Sequence, residues 1–104
     1  AAKFWLRAKA NSTTINASYN VTSVLDTATG RMTVNIGTDF SSVNYCCLVT
    51  VQAAQGNNSV KVSSVSNTTT PTEAAVVMES WLVGASTEAL ADPRFWNAAG
   101  YGDQ

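Results

Sequence analysis

The sequence predicts an all-β fold, a jelly-roll-like antiparallel β-sandwich of about six to eight short strands, with a short helical turn near the C-terminus. Three observations carry that expectation. Apolar residues recur at every second position in several separate windows. Turn-forming residues fall between those windows, and no window from residue 1 to 84 sustains a helical period.

The windows run in order along the chain. Phe4, Leu6, Ala8 and Ala10 share one face of a first strand, with Lys3, Trp5, Arg7 and Lys9 on the other. Ile15, Ala17, Tyr19 and Val21 form a second series. Asp26-Thr27-Ala28-Thr29-Gly30 reads as a hairpin loop in which Gly30 supplies the positive φ, leading to Met32, Val34 and Ile36. Tyr45-Cys46-Cys47-Leu48-Val49 is apolar on both faces, so it is either a central strand covered on both sides or a strand whose second face meets another subunit. Gln55-Gly56-Asn57-Asn58 is a turn. Val60 and Val62 alternate next, and the slip to Val65 indicates a bulge near Ser63-Ser64. Asn67 to Thr72, containing Pro71, is a further loop. Val76, Met78 and Leu82 then oppose Val77, Trp81 and Val83.

The last stretch changes character. A turn is expected over Ser86–Leu90, and Asp92-Pro93 followed by Gly100 matches the cap, first-turn proline and terminal glycine of a short helix. Residues 1–84 are therefore expected to form the sandwich. Residues 85–104 are expected to be an extension packed on it or on a neighbouring subunit, with a loose tail at Tyr101–Gln104.

Composition excludes several function classes. The 104 residues carry six basic and seven acidic side chains, and no basic stripe exists to neutralise a run of phosphates, so nucleic acid is not an expected partner. No run approaches the ~20 apolar residues of a membrane-spanning helix, and no membrane insertion is expected. The chain starts Ala1-Ala2, which reads as a fragment or a processed product. The triplets at Asn11, Asn16, Asn20, Asn57 and Asn67 match the glycosylation pattern but are expected by chance in a chain so rich in Asn, Ser and Thr.

With no histidine, a Ser-His-Asp or Cys-His arrangement cannot be built. Glycoside hydrolysis needs two carboxyls roughly 5–9.5 Å apart, whereas Asp26 and Asp39 lie in or beside loops and Glu73 and Glu79 flank one strand. No phosphate-binding glycine pattern occurs. A chain without histidine or a second cysteine pair offers no metal site. Neither enzymatic activity nor a cofactor is expected.

Cys46 and Cys47 are strand neighbours that point to opposite faces and cannot readily bond each other. They read as two small buried reduced thiols, or as a bridge between symmetry-related chains. Trp5, Tyr45, Cys46, Leu48 and Trp81 are the candidate oligomer contacts, because buried aromatics dominate interfaces as they dominate cores. Trp96 and Tyr101 are candidates for stacking on a sugar, or for capping the sandwich. Asn57, Asn58 and Thr69 are candidate ligand contacts on loops.

The run Ala17-Ser18-Tyr19-Asn20-Val21-Thr22-Ser23-Val24, then Asp26, Thr29-Gly30, Thr33-Val34-Asn35-Ile36, Phe40 and Asn44-Tyr45, with Lys3-Phe4-Trp5 ahead of it, resembles a module at the C-terminal ends of tailed-phage tail-fibre and tail-spike proteins. The similarity covers roughly residues 3 to 84; Met32, the Cys46-Cys47 pair and the stretch from Asp92 depart from it. The resemblance implies a β-sandwich in the virion, usually a homotrimer joined to upstream fibre proteins, that binds host-surface glycan or protein and carries out attachment. The alternatives are a purely structural cap, decoration or trimerisation domain, and a monomeric carbohydrate-binding module of a bacterial secreted protein.

Overall fold

The computed structural model describes residues 1–10, 12–52, 60–83 and 88–104, which contain no helix. The strands among them are β1 (Phe4–Lys9), β2 (Ile15–Tyr19), β3 (Val21–Ala28), β4 (Arg31–Ile36), β5 (Cys46–Gln52), β6 (Val60–Val65), β7 (Ala75–Val83), β8 (Glu88–Leu90) and β9 (Phe95–Tyr101). Sheet A runs in the order β2-β1-β9-β5, and sheet B in the order β3-β4-β7-β6, with β8 paired to the end of β7. All pairings are antiparallel, and the two sheets bury one core between them. The chain is an antiparallel β-sandwich.

The period-two pattern decides which residues enter that core. In β1, Phe4, Leu6 and Ala8 are buried while Trp5 and Lys9 face outward. In β4, Met32, Val34 and Ile36 point inward, and β7 adds Val76 and Met78 from the next strand of sheet B. From β9 come Trp96 and Ala98, with Trp96 only 1 % exposed.

Large and small inner residues face each other across β1 and β9. The register pairs Phe4 with Gly100, Leu6 with Ala98, and Ala8 with Trp96. Each pair sets one bulky side chain against one that leaves it room, and a Cβ added at Gly100 would collide with the Phe4 ring. Packing at interior density needs this kind of interdigitation.

The chain passes from one sheet to the other after β2, β4, β5 and β8, and two of these corners bear on the sequence reading. Asn20, with φ at 56°, separates β2 in sheet A from β3 in sheet B. Its Nδ2 donates to the Lys3 carbonyl at 2.9 Å, and its Oδ1 accepts from the Thr38 N–H at 2.7 Å. Asparagine tolerates this left-handed conformation because its short amide can satisfy nearby backbone groups. The series Ile15–Val21 is therefore two strands in different sheets, not one.

The second corner overturns the helical reading of residues 92–100. Phe95–Tyr101 is a strand, and it lies inside sheet A between β1 and β5. Asp92 does not cap a helix; its Oδ1 accepts the Gly30 N–H at 2.7 Å across the β3–β4 hairpin. A residue before proline disfavours the helical region, so Asp92-Pro93 carries the chain in extended form from β8 toward β9. Gly30 has φ at 71°, and a Cβ there would come within 2.7 Å of the Ala91 nitrogen.

Further local expectations are corrected. Glu88–Leu90, expected in a turn, is a strand. The β6–β7 register is continuous through Ser63 and Ser64, so no bulge occurs there; Val62 faces outward and Val65 inward. The C-terminal residues are tied down, because Ser41 N–H donates to the Asp103 carbonyl at 2.8 Å and the Gln104 amide donates to Thr38 at 2.7 Å. The turn expected at Gln55–Asn58 lies outside the described residues.

Replacing Trp96 with alanine should cost about 3–5 kcal/mol, the usual range for emptying a buried tryptophan site. Urea denaturation of the variant is expected to show a lower midpoint at unchanged slope. An unshifted midpoint would place the ring outside the core.

Candidate functional site

Two sheet faces remain outside the core, and each carries large apolar side chains. On the outer face of sheet A, the register places Tyr19, Trp5, Ala99 and Leu48 in one row across all four strands. Tyr19 is 57 % exposed, Leu48 55 % and Trp5 43 %. Tyr101 and Cys46 are paired in the neighbouring row. A hollow of about 230 Å³ lies beside Leu48, over Thr50, Asn97, Ala98 and Ala99. The small Ala99 methyl between Trp5 and Leu48 lets the surface dip there.

The third row of this face is polar and internally satisfied. Arg7 donates to Asn97 Oδ1 and to Gln52 Oε1, each at 2.9 Å, and its guanidinium lies 4.3 Å from the centre of the Phe95 ring. These contacts fix the Arg7 side chain flat against the sheet.

On the outer face of sheet B, the register aligns Val62, Trp81 and Leu90 across β6, β7 and β8. A wider hollow, about 360 Å³, is lined by Val62, Asn67, Trp81 and Val83. Asn67, at its edge, is held by Glu79, which is fully buried. Glu79 accepts from Arg31 Nε at 2.8 Å, from the Ser66 hydroxyl at 3.0 Å and from the Asn67 N–H at 3.3 Å. Burial alone would raise its pKa, but these hydrogen bonds and the Arg31 charge outweigh that and hold the carboxyl below its usual range. The carboxylate thereby anchors the loop bearing Asn67 to β7. It is spent on that anchorage and is enclosed from solvent.

The residues singled out from sequence are dispersed. Trp5, Cys46 and Leu48 share the outer face of sheet A with Tyr101, whereas Trp81 is on the opposite side of the sandwich. Tyr45 serves the domain itself: its ring stacks on Phe40 at 4.0 Å, and its hydroxyl donates to the Thr72 carbonyl at 2.8 Å. Burial, and second the neighbouring Cys47, push its phenol up to about 12. Trp96 is buried in the core and cannot stack on a ligand. Thr69 is exposed on the loop after β6, and Asn57 and Asn58 lie outside the described residues. Among the described residues, no three His, Cys, Asp or Glu side chains converge to hold a metal.

Several surface residues escaped the sequence reading. Tyr19 sits in a series that reads as core-facing, yet it pairs with the outward Trp5. A register shift between Arg7 and Ala8 brings Ile15 opposite the inward Ala8, while Ala17 and Tyr19 pair with the outward Arg7 and Trp5. Val62 and Val83 read as strand apolars with no sign of their exposure. The strand over Tyr45–Val49 is neither central nor covered on both sides: β5 is an edge strand of sheet A, and its outward Leu48 is exposed.

The two cysteines are free, and they differ. Cys46 is exposed on the outer face rather than buried, while Cys47 packs toward the core. Burial, then the adjacent Cys46, push the Cys47 thiol up to about 11.

A scan against protein-family models found no match, and searches of curated proteins and of solved structures found none either.

Two measurements check this geometry. A glutamate in the unfolded chain ionises near pH ~4.3, above the lowered folded value. Glu79 therefore contributes stability that is complete above about pH 4.3 and is lost as pH falls through the folded pKa. Glu79→Gln should lose about 1–3 kcal/mol at neutral pH and show a shallower decline in acid. Identical pH profiles for the two proteins in urea denaturation would mean that the ion pair contributes nothing. A thiol reagent at neutral pH should label Cys46 in the folded protein and Cys47 only on unfolding, as read by mass spectrometry.

Proposed function

We propose that this domain is a non-enzymatic attachment domain of a virion fibre or spike, presented in several copies and contacting host-surface glycan or protein. The observation that carries the reading is the pair of outer faces. A sandwich with a filled core still leaves Trp5, Tyr19, Leu48 and Tyr101 on one side and Val62 and Val83 on the other substantially exposed. Large exposed apolar surfaces mark interaction sites. The virion setting comes from the resemblance of residues 3–84 to tail-fibre and tail-spike modules.

The motif residues of that resemblance have architectural work in this chain. Asn20 makes the corner between the sheets, Gly30 turns the β3–β4 hairpin, and Tyr45 braces the loop at Thr72. Such residues would recur in any module built on the same sandwich, while the contact surfaces vary from one to the next. The hollow at Trp81 is the surface we assign to the receptor. Its volume lies within the usual ~300–1,000 Å³ range of ligand sites. A half-buried indole beside the Asn67 side chain offers a stacking plane next to a polar group.

The purified domain should bind the host cells and block adsorption of the particle that carries it. Trp81→Ala should weaken that blocking by about tenfold or more while leaving the fold intact. A domain that neither binds cells nor competes with the particle would sink the attachment reading and leave a purely structural role. Sugar binding by a protein that stays monomeric would instead favour a secreted carbohydrate-binding module.

A further inference from the structure

We infer that the outer face of sheet A is where copies of this chain pack against one another, with Trp5 of one copy seated in the hollow beside Leu48 of the next. The inference rests on the fibre reading above for the presence of several copies, and it names the surface that joins them.

The size of the face fits a self-association surface. Trp5, Tyr19, Leu48 and Tyr101 are 43, 57, 55 and 41 % exposed. With a fully covered aromatic burying about 150–250 Å², these four side chains leave about 400 Å² of apolar surface in water. That is about half of the ~800 Å² each partner buries in a standard interface, before any polar rim is counted. It also reaches the ~300–600 Å² of the largest apolar patch on a typical monomer, which is often functional.

The chemistry of the face points to a second copy rather than a foreign partner. Interface centres are depleted in charge, and the row from Tyr19 through Trp5 and Ala99 to Leu48 holds no charged side chain, with Lys3 and Arg7 flanking Trp5 along the chain. The Arg7 guanidinium is held by Asn97 and Gln52 and lies over Phe95, so the apolar row itself selects neither an acidic nor a basic surface. The face also contains both halves of a fit. Trp5 projects from β1, and the hollow of about 230 Å³ lies over β9 and β5, one to two strand spacings away. A projection and a recess offset on one surface can engage reciprocally about a two-fold axis, or head-to-tail in a closed ring.

The test is the solution mass of the full 104-residue chain, measured by light scattering over a range of concentrations with reductant present. Concentration-dependent assembly to a dimer or trimer is expected. Trp5→Ala and Leu48→Lys should each weaken it by roughly thirtyfold, the ~2 kcal/mol of a hot-spot residue converted at ~1.4 kcal/mol per decade. Leu25→Lys, at an equally exposed leucine on sheet B, should leave assembly unchanged. Leu48→Lys also guards against a Trp5 variant that fails to fold, because Leu48 packs on no core residue. A chain that stays monomeric throughout, or that assembles equally well with both substitutions, overturns the inference. Cell binding and adsorption are scored separately, so an assembling domain without a role in adsorption would remove the attachment reading and keep the interface.

Discussion

The fit between β1 and β9 is the constraint on which the rest of this sandwich depends. These strands lie at opposite ends of the chain, yet they are the two inner strands of sheet A. Their inward residues alternate in size, so that Phe4 lies over Gly100 and Trp96 beside Ala8. Because a strand has period two, a slip of one residue would turn Trp96 into solvent and set Asn97 against the core. The size match and the polarity pattern therefore enforce one register. With β9 in place, β5 has a partner, the hollow over Ala99 exists, and the four-residue row from Tyr19 to Leu48 can form.

Corner residues then fix how the sheets face each other. Asn20 gathers Lys3, Gly37 and Thr38 around one left-handed residue, which locks the first strand to the loop after β4. Asp92 ties the crossing into β9 to the Gly30 hairpin of the other sheet. Each corner satisfies backbone groups that would otherwise be left unpaired at the ends of the sandwich. Glu79 does the same for the loop after β6, at the cost of burying a charge that Arg31, Ser66 and the Asn67 N–H then compensate.

A domain built this way leaves two outer faces of different character. Sheet A presents a broad surface with an uncharged apolar row from Tyr19 to Leu48, which suits contact with an identical row. Sheet B presents a deeper recess with a tryptophan wall and a polar amide at its rim, which suits a smaller ligand. Separating the two on opposite sides of one sandwich would let copies pack through sheet A while sheet B remains accessible. The free edges are blunted as well: β3 carries two register irregularities, and the Ser63 hydroxyl donates to the Val49 carbonyl of β5 at 2.8 Å.

The amino-acid sequence by itself determined the strand periodicity, the hairpin at Gly30 and which side of β1, β4 and β7 is apolar, because these depend on local alternation and local turn chemistry. It also placed Trp5 and Trp81 on faces opposite the main apolar rows. Only the tertiary structure decided that Phe95–Tyr101 is a strand, since Asp92-Pro93 and Gly100 carry the local signals of a helix and the partner that overrides them, β1, lies some ninety residues away. The same distance hid the burial of Trp96 and the exposure of Tyr19, whose environments come from strands that are neighbours in space and not in sequence. Local propensity can name an element, but which face of it meets water is set by what pairs beside it and packs beneath it.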